Sequence, residues 1–170
     1  MVIGTINSNE KEKVKEAFKD VAVPMPLDGY DLHLYCSLGT IAIERKEFPN
    51  DFLASIVDGR LASEIQQIRS ISQFPILLVE NRPKYTDEGF LVIGNRVDKS
   101  WTKSKLRNLF RSIRYVKGVD IEFSDSLLDS VQLVTELHVY FNNPEHLSLL
   151  RRPSLHTDFF FPTVEERYIY

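Results

Sequence analysis

The sequence predicts an α/β domain in which helices flank a central mixed β-sheet. Short apolar segments alternate along the chain with segments whose apolar residues recur at helical spacing, as expected of a layered fold. The run Pro75–Glu80 is almost entirely apolar, which is typical of a central strand covered on both faces. We therefore expect this strand near the middle of the sheet.

Strand-like and helical segments follow one another as far as residue 143. Strands are predicted where β-branched and aromatic residues alternate or run together, over residues 2–6, 31–35, 40–47, 75–80, 90–93 and 119–123. Helices are predicted over residues 10–19, 51–71, 101–116 and 126–141. Asp51 is a candidate N-cap, Gly59 interrupts its helix, and Gly118 ends the next helix. Pro24 and Pro26 are expected to interrupt regular structure before the third segment.

The chain length fits one domain, residues 1–143, followed by an extension, residues 144–170. Hydrophobic residues make up 43% of the 170 residues and charged residues 26%, an ordinary globular composition. We expect the extension, with its aromatic cluster Phe159–Phe161, to pack on the domain or on a partner. The single cysteine, Cys36, excludes an intramolecular disulfide and a multi-cysteine zinc site. No segment resembles a membrane span or signal peptide, so we expect an intracellular protein, nuclear or cytoplasmic according to its host.

Basic residues are concentrated between Arg96 and Lys117, although the formal net charge of the chain is -3. Lys103, Arg107 and Arg111 are spaced to share one face of the predicted helix 101–116. Such a face is either simply solvated or binds the phosphates of a nucleic acid. These three residues are therefore candidate DNA contacts.

The predicted hairpin places acidic and basic groups together. Residues two apart in a strand share a face, so Glu44 and Lys46 point the same way, and Asp31 on the preceding strand can approach Glu44. Two neighbouring carboxylates repel each other, and a divalent cation such as Mg²⁺ or Mn²⁺ relieves that repulsion. This arrangement suffices for phosphodiester hydrolysis. Taken alone, however, a Glu-x-Lys pattern usually marks a solvated strand face.

A longer series of motifs gives the pattern its specificity. Ile43-Glu44-Arg45-Lys46 is followed by Asp51-Phe52, Ser55-Ile56, Asp58-Gly59-Arg60-Leu61 and the strand Pro75–Glu80. This series resembles the nuclease domain of the XPF family of structure-specific endonucleases. The resemblance is specific over residues 28–80 and continues at the level of pattern to residue 143.

The resemblance implies a role for each residue of the motifs. Asp31 and Glu44 would bind the metal together with the backbone carbonyl of Arg45, and Lys46 would be the catalytic lysine. Asp51 would be a further acid near the metal. The Arg45 side chain would orient the neighbouring acids or contact DNA.

The resemblance also implies the surroundings of the site and the activity. Asp58 and Arg60 would line the cleft, and Glu10 and Glu80 would support the metal ligands. The family has a restriction-endonuclease-like fold, uses Mg²⁺ or Mn²⁺, cuts branched, forked or flapped DNA in repair or recombination, and forms dimers. We therefore expect a homodimer or a heterodimer with no membrane association.

The sequence departs from the family pattern at several points. The Gly-Asp pair of the family is replaced by Asp28-Gly29-Tyr30-Asp31, so Asp28 is the alternative metal ligand to Asp31. Four residues separate Lys46 from Asp51, where three are usual. A helix-hairpin-helix module, the usual DNA-binding appendage, is not recognisable in the sequence.

An alternative to a nuclease is a catalytically inactive subunit that binds DNA or mediates dimerisation. An inactive relative is expected to lose the acids or the lysine of the site. Asp31, Glu44, Lys46 and Asp51 are all present, which favours an active enzyme.

Overall fold

The computed structural model describes residues 1–143, which are built around a six-stranded mixed β-sheet. In spatial order its strands are β2 (Ala22–Met25), β1 (Gly4–Asn7), β3 (Leu32–Cys36), β4 (Gly39–Glu47), β5 (Phe74–Glu80) and β9 (Asp120–Ser124). Strand β3 is antiparallel to β1 and β4, whereas the other neighbouring strands are parallel. The predicted α/β fold with a central mixed sheet is confirmed. The predicted C-terminal extension, residues 144–170, lies outside the described residues.

A smaller antiparallel sheet follows β5, and helices cover both faces of the main sheet. The smaller sheet contains β6 (Lys84–Tyr85), β7 (Phe90–Ile93) and β8 (Arg96–Thr102). The helices are α1 (Glu12–Phe18), α2 (Asn50–Val57), α3 (Arg60–Ile71), α4 (Lys103–Arg111) and α5 (Leu127–Asn142), and a π-helical turn (Ser112–Val116) continues α4. In the described part of the chain, no helix has the length and apolar character needed to cross a membrane.

The two faces of the main sheet form two separate parts of the core. Along β4 and β5, Ile43 and Leu78 pack on the face covered by α1 and α5. Ala42 and Leu77 pack on the opposite face, under α2 and α3. Because successive strand residues point to opposite faces, a side chain on either face of β4 is enclosed by a helical layer. This double coverage also buries the charged residues near the end of β4.

Strand β2 corrects the expectation that Pro24 interrupts regular structure, whereas the strand does end directly before Pro26, as predicted. Pro24 lies within β2, which pairs in parallel with β1. Proline lacks a backbone N–H, but it is tolerated in an edge strand, where one side of the strand needs no partner. β2 is at the edge of the sheet.

The interruption predicted at Gly59 is confirmed and divides the helix predicted over residues 51–71 into two, but the cap predicted at Asp51 is wrong. The chain turns between α2 and α3 at Gly59, whose φ of 81° lies in the left-handed region that glycine adopts without strain. Helix α2 begins at Asn50 and has no side-chain N-cap. Asp51 therefore lies in the first turn of the helix, where its negative charge is favourable, instead of capping it.

The helix predicted over residues 101–116 is shorter at its start and irregular at its end. Trp101 belongs to β8, and α4 begins at Lys103 with Thr102 as its cap, accepting a hydrogen bond from the backbone N–H of Lys105. Strand β8 was not predicted because its residues are mostly exposed and polar, which leaves no apolar alternation to detect.

Candidate active site

The β3–β4 hairpin brings the predicted acids together. Asp31 directly precedes β3, and its backbone N–H donates to the carbonyl of Ile43 at 3.1 Å. Its side chain is held in turn by β4, since the backbone N–H of Arg45 donates to Asp31 Oδ2 at 2.8 Å. The Asp31 carboxylate is thereby tied to the strand that carries Glu44 and Lys46.

Lys46 is buried between two carboxylates on the face of the sheet covered by α2 and α3. Its Nζ lies 2.7 Å from Glu44 Oε1 and 2.8 Å from Glu64 Oε2, and its side chain is only 5% exposed. Glu64 belongs to α3 and was not predicted as a site residue. Its one signal in the sequence is its position one helical turn after Arg60, on the same face of the helix.

Arg45 points to the opposite face of the sheet and is anchored there by two acids. Its Nη1 donates to Glu80 Oε2 at 3.0 Å, and its Nη2 lies 3.6 Å from Glu10 Oε2. The hydroxyl of Ser130, in α5, also donates to Glu80 Oε2 at 3.0 Å. Glu10 and Glu80 therefore lie beside the site and hold the strand in place by binding the guanidinium of Arg45. Sequence reasoning missed Ser130, because a lone serine in a helix carries no distinguishing pattern.

Most of these acidic and basic side chains line one cleft of about 290 Å³. Its lining residues are Asn9, Glu10, Lys11, Asp31, Glu44, Arg45, Lys46, Asp51, Arg60 and Glu64. Arg60 is half-exposed, and its Nη2 lies 3.9 Å from Asp51 Oδ1. Asp51 and Arg60 thus face the charged residues of β4 from the helical side of the cleft.

Asp58 and Asp28, like Glu80 and the predicted basic residues of α4, lie outside the lining of this cleft. Asp58 is exposed and binds Arg60 through both the backbone N–H, at 3.0 Å, and Nε, at 2.7 Å. Asp28 is exposed, and its backbone carbonyl accepts a hydrogen bond from Gln67. Between the two candidate ligands, the geometry places Asp31 at the cleft and Asp28 away from it.

Burial makes the two acids of the hairpin unusually hard to ionise. The pKa of Asp31 is raised well above its ordinary value by burial and by the neighbouring Glu44 and Glu10, although the N–H of Arg45 opposes this shift. Burial also raises the pKa of Glu44 to about 7, aided by Glu64 and Asp51 and opposed by Lys46. A cation beside these carboxyls would favour their charged forms.

Lys46 remains an ammonium group despite its burial. Burial by itself lowers the pKa of a lysine, but here Glu44 and Glu64 outweigh that effect and raise the pKa of Lys46 above its ordinary value. A lysine held in this form donates hydrogen bonds and stabilises negative charge. It does not accept a proton at neutral pH.

The oxygen donors at the cleft suit a hard divalent cation. Within residues 1–143, no three His, Cys, Asp or Glu side chains form a cluster that could hold a metal ion. Mg²⁺, however, is commonly held by one or two carboxylates, with water and substrate phosphate completing its shell. Asp31 and Glu44 are two such carboxylates. The N–H of Arg45 reaches Asp31 on the β3 side of β4, and its carbonyl points to that same side, since the N–H and C=O of one strand residue share a direction.

The predicted basic face of α4 is present and is separate from the cleft. Lys103, Arg107 and Arg111 are exposed and line a hollow of about 340 Å³ together with Gly89 and Thr102. The hollow also contains one acid at its margin, Glu88.

Comparison with known proteins places the chain in a family. The ERCC4 domain matches residues 6–137, and among curated proteins none matches the sequence. XPF from Aeropyrum pernix is similar in structure, with a TM-score of 0.61 and 18% identity over 87% of this chain and 68% of that one. XPF from Aeropyrum pernix in complex with DNA has a TM-score of 0.60 and 16% identity over 85% of this chain and 68% of that one. The resemblance noted in the sequence is confirmed: the chain belongs to the ERCC4 domain family, whose members are nucleases.

Proposed function

We propose that the protein is a divalent-metal-dependent endonuclease that hydrolyses phosphodiester bonds in branched, forked or flapped DNA during repair or recombination. The observation that carries this proposal is the convergence of Asp31, Glu44 and Lys46 in one cleft at the end of the β3–β4 hairpin. Membership of a nuclease family supports it, as does the similarity to an XPF structure in complex with DNA.

In this mechanism Asp31, Glu44 and the carbonyl of Arg45 would hold Mg²⁺ or Mn²⁺. When bound, such a cation would supply polarisation of the phosphodiester and a lowered pKa of a bound water. Lys46 donates from Nζ to the oxygens on which negative charge accumulates, or to the attacking water, and its charged form suits it to this electrostatic role. Asp31 and Glu44, whose charged forms burial disfavours, would be ionised when they hold the cation.

The remaining residues of the cleft position the strand and the substrate. Glu80 and Glu10 hold the guanidinium of Arg45, which fixes the backbone between Glu44 and Lys46. Arg60 is exposed enough to contact a DNA phosphate, and Asp58 orients its guanidinium. Asp51 adds a further negative charge beside the cation.

We propose that the basic face of α4 contacts the DNA backbone away from the cleft. Lys103, Arg107 and Arg111 present three charges in one hollow, as phosphate binding requires. The expected dimer and the intracellular location remain predictions.

Loss of the charge of Glu44 or of Lys46 should abolish cleavage without abolishing DNA binding. We expect Glu44→Gln and Lys46→Met to lower the cleavage rate by about 100-fold or more, as loss of a transition-state contact does. Labelled duplex, flap, fork and single-stranded DNA with Mg²⁺, Mn²⁺ or chelator would report the rates, and Lys13→Ala, an exposed lysine outside the cleft, is the control. Unchanged cleavage by Glu44→Gln would contradict the mechanism. DNA binding by a parent protein that never cuts would instead identify an inactive subunit.

The raised pKa of Glu44 predicts competition between protons and the cation. With its pKa at about 7, the folded metal-free protein keeps this proton at lower pH and releases it as the pH rises. Because a cation binds the charged carboxylate, the Mn²⁺ concentration for half-maximal cleavage should fall as the pH rises from about 6 to about 8, by up to roughly tenfold per unit below pH about 7. Metal titrations at fixed pH values measure this midpoint. A midpoint that does not change across the range would refute the competition.

Removal of two charges from α4 should weaken DNA binding and reduce its dependence on salt. For Arg107→Ala combined with Arg111→Ala, the slope of log affinity against log salt should become shallower by about 2, since each phosphate contact contributes about 0.9. Fluorescence anisotropy with labelled DNA at several salt concentrations measures the slope. Lys13→Ala combined with Lys19→Ala, on α1 and at its C-cap, is the matched control. A slope equal to that of the parent would show that the basic face of α4 is merely solvated.

A further inference from the structure

Building on the proposed function, we infer that Glu64 is a positioning residue that holds the Lys46 ammonium at the cleft while Glu44 is bound to the cation. Glu64 belongs to α3, whereas Glu44 and Lys46 belong to β4. The contact between Glu64 and Lys46 therefore fixes the catalytic strand against the helix that also carries Arg60.

The geometry shows that Lys46 and Glu64 compensate each other's charge. Glu64 Oε2 is buried and has no hydrogen bond of good geometry among the described residues, so the ammonium 2.8 Å away compensates its charge. Lys46 is buried as well, and a buried ammonium is costly unless an anion lies beside it. Within residues 1–143, its ion pairs are with Glu44 and Glu64.

A bound cation would change the balance between these two acids. Glu44 Oε1 lies 2.7 Å from Lys46, and the same carboxylate is the proposed ligand. A cation on Glu44 draws charge away from Lys46 and also repels the ammonium directly. Glu64 then remains as the acid that keeps Lys46 in place. A lysine has three N–H donors, so one facing Glu64 leaves others for the substrate.

The second oxygen of Glu64 extends the same function to the neighbouring arginine. Glu64 Oε1 lies 4.0 Å from Arg60 Nη1, one helical turn away. Glu64 thus lies between two basic side chains, the buried Lys46 and the half-exposed Arg60. Its negative charge reduces the repulsion between Lys46 and Arg60 as both approach one DNA strand.

Kinetics of Glu64 variants test the inference. With saturating Mn²⁺ and flap DNA, Glu64→Gln should lower kcat by about 10- to 100-fold, as misplacement of a catalytic group does, with KM within about twofold. Glu64→Asp keeps the charge and should recover part of the rate. Glu136→Gln, an exposed glutamate on α5, is the control and should match the parent. Wild-type kcat in Glu64→Gln would overturn the inference.

Mn²⁺ binding measured by calorimetry without DNA provides a test that does not depend on cleavage. Glu64→Gln should weaken Mn²⁺ binding in the parent. Lys46 then has Glu44 as its remaining anion and competes with Mn²⁺ for that carboxylate. In the Lys46→Met background the same substitution should have no effect. An equal weakening in both backgrounds would mean that Glu64 acts directly on the cation, which overturns the inference. If Glu64→Gln folds poorly, Glu64→Asp provides a second comparison. If the parent binds Mn²⁺ but cuts no DNA, the proposed function fails while this binding test still decides the role of Glu64.

Discussion

The structure depends on a charge conflict between the carboxyl groups of Asp31, which is partly buried, and Glu44, which is buried. Transfer of a carboxylate from water into a protein interior costs several kcal/mol per ion, on the order of the net stability of a small domain. The shifted pKa values of both acids express this cost. The fold maintains the conflict because the backbone of β4 itself binds Asp31 and because Lys46 lies against Glu44. These two acids are the ligands that we propose for a cation.

The alternation of a β-strand divides the charged residues of β4 between the two faces of the sheet. Glu44 and Lys46 point toward α2 and α3, where Asp51, Arg60 and Glu64 complete the cleft. Between them, Arg45 points the other way, into the layer of α1 and α5, where Glu80 and Glu10 hold it and Ser130 holds Glu80. Three consecutive charged residues are thus buried with partners: Glu44 pairs with Lys46 on one face, where Lys46 also pairs with Glu64 of α3, and Arg45 pairs with Glu80 of β5 on the other. This is possible only in a strand covered on both faces.

Local patterns in the sequence predicted the parts of the site that lie in one hairpin. A strand period of two places Glu44 with Lys46, and the hairpin brings Asp31 to them, so these positions follow from spacing. Glu64 was missed because its pairing with Lys46 depends on how α3 packs on β4, and no spacing between distant residues encodes such packing. Pro24 in β2 and the polar strand β8 were missed because edge position and exposure remove the usual signals. The N-cap assigned to Asp51 failed because α2 begins one residue earlier.

Thermal unfolding with and without Mn²⁺, in the absence of DNA, tests most directly whether the buried acids form a cation site. Binding to the folded state alone stabilises it by about 2.7 kcal/mol at 100 times the dissociation constant, so the Tm of the parent should rise with added Mn²⁺. In Asp31→Asn combined with Glu44→Gln, the Tm without metal should rise, since the charge conflict is removed, and Mn²⁺ should no longer increase it. A parent that Mn²⁺ does not stabilise, or a double variant stabilised as much as the parent, would contradict a cation site at Asp31 and Glu44.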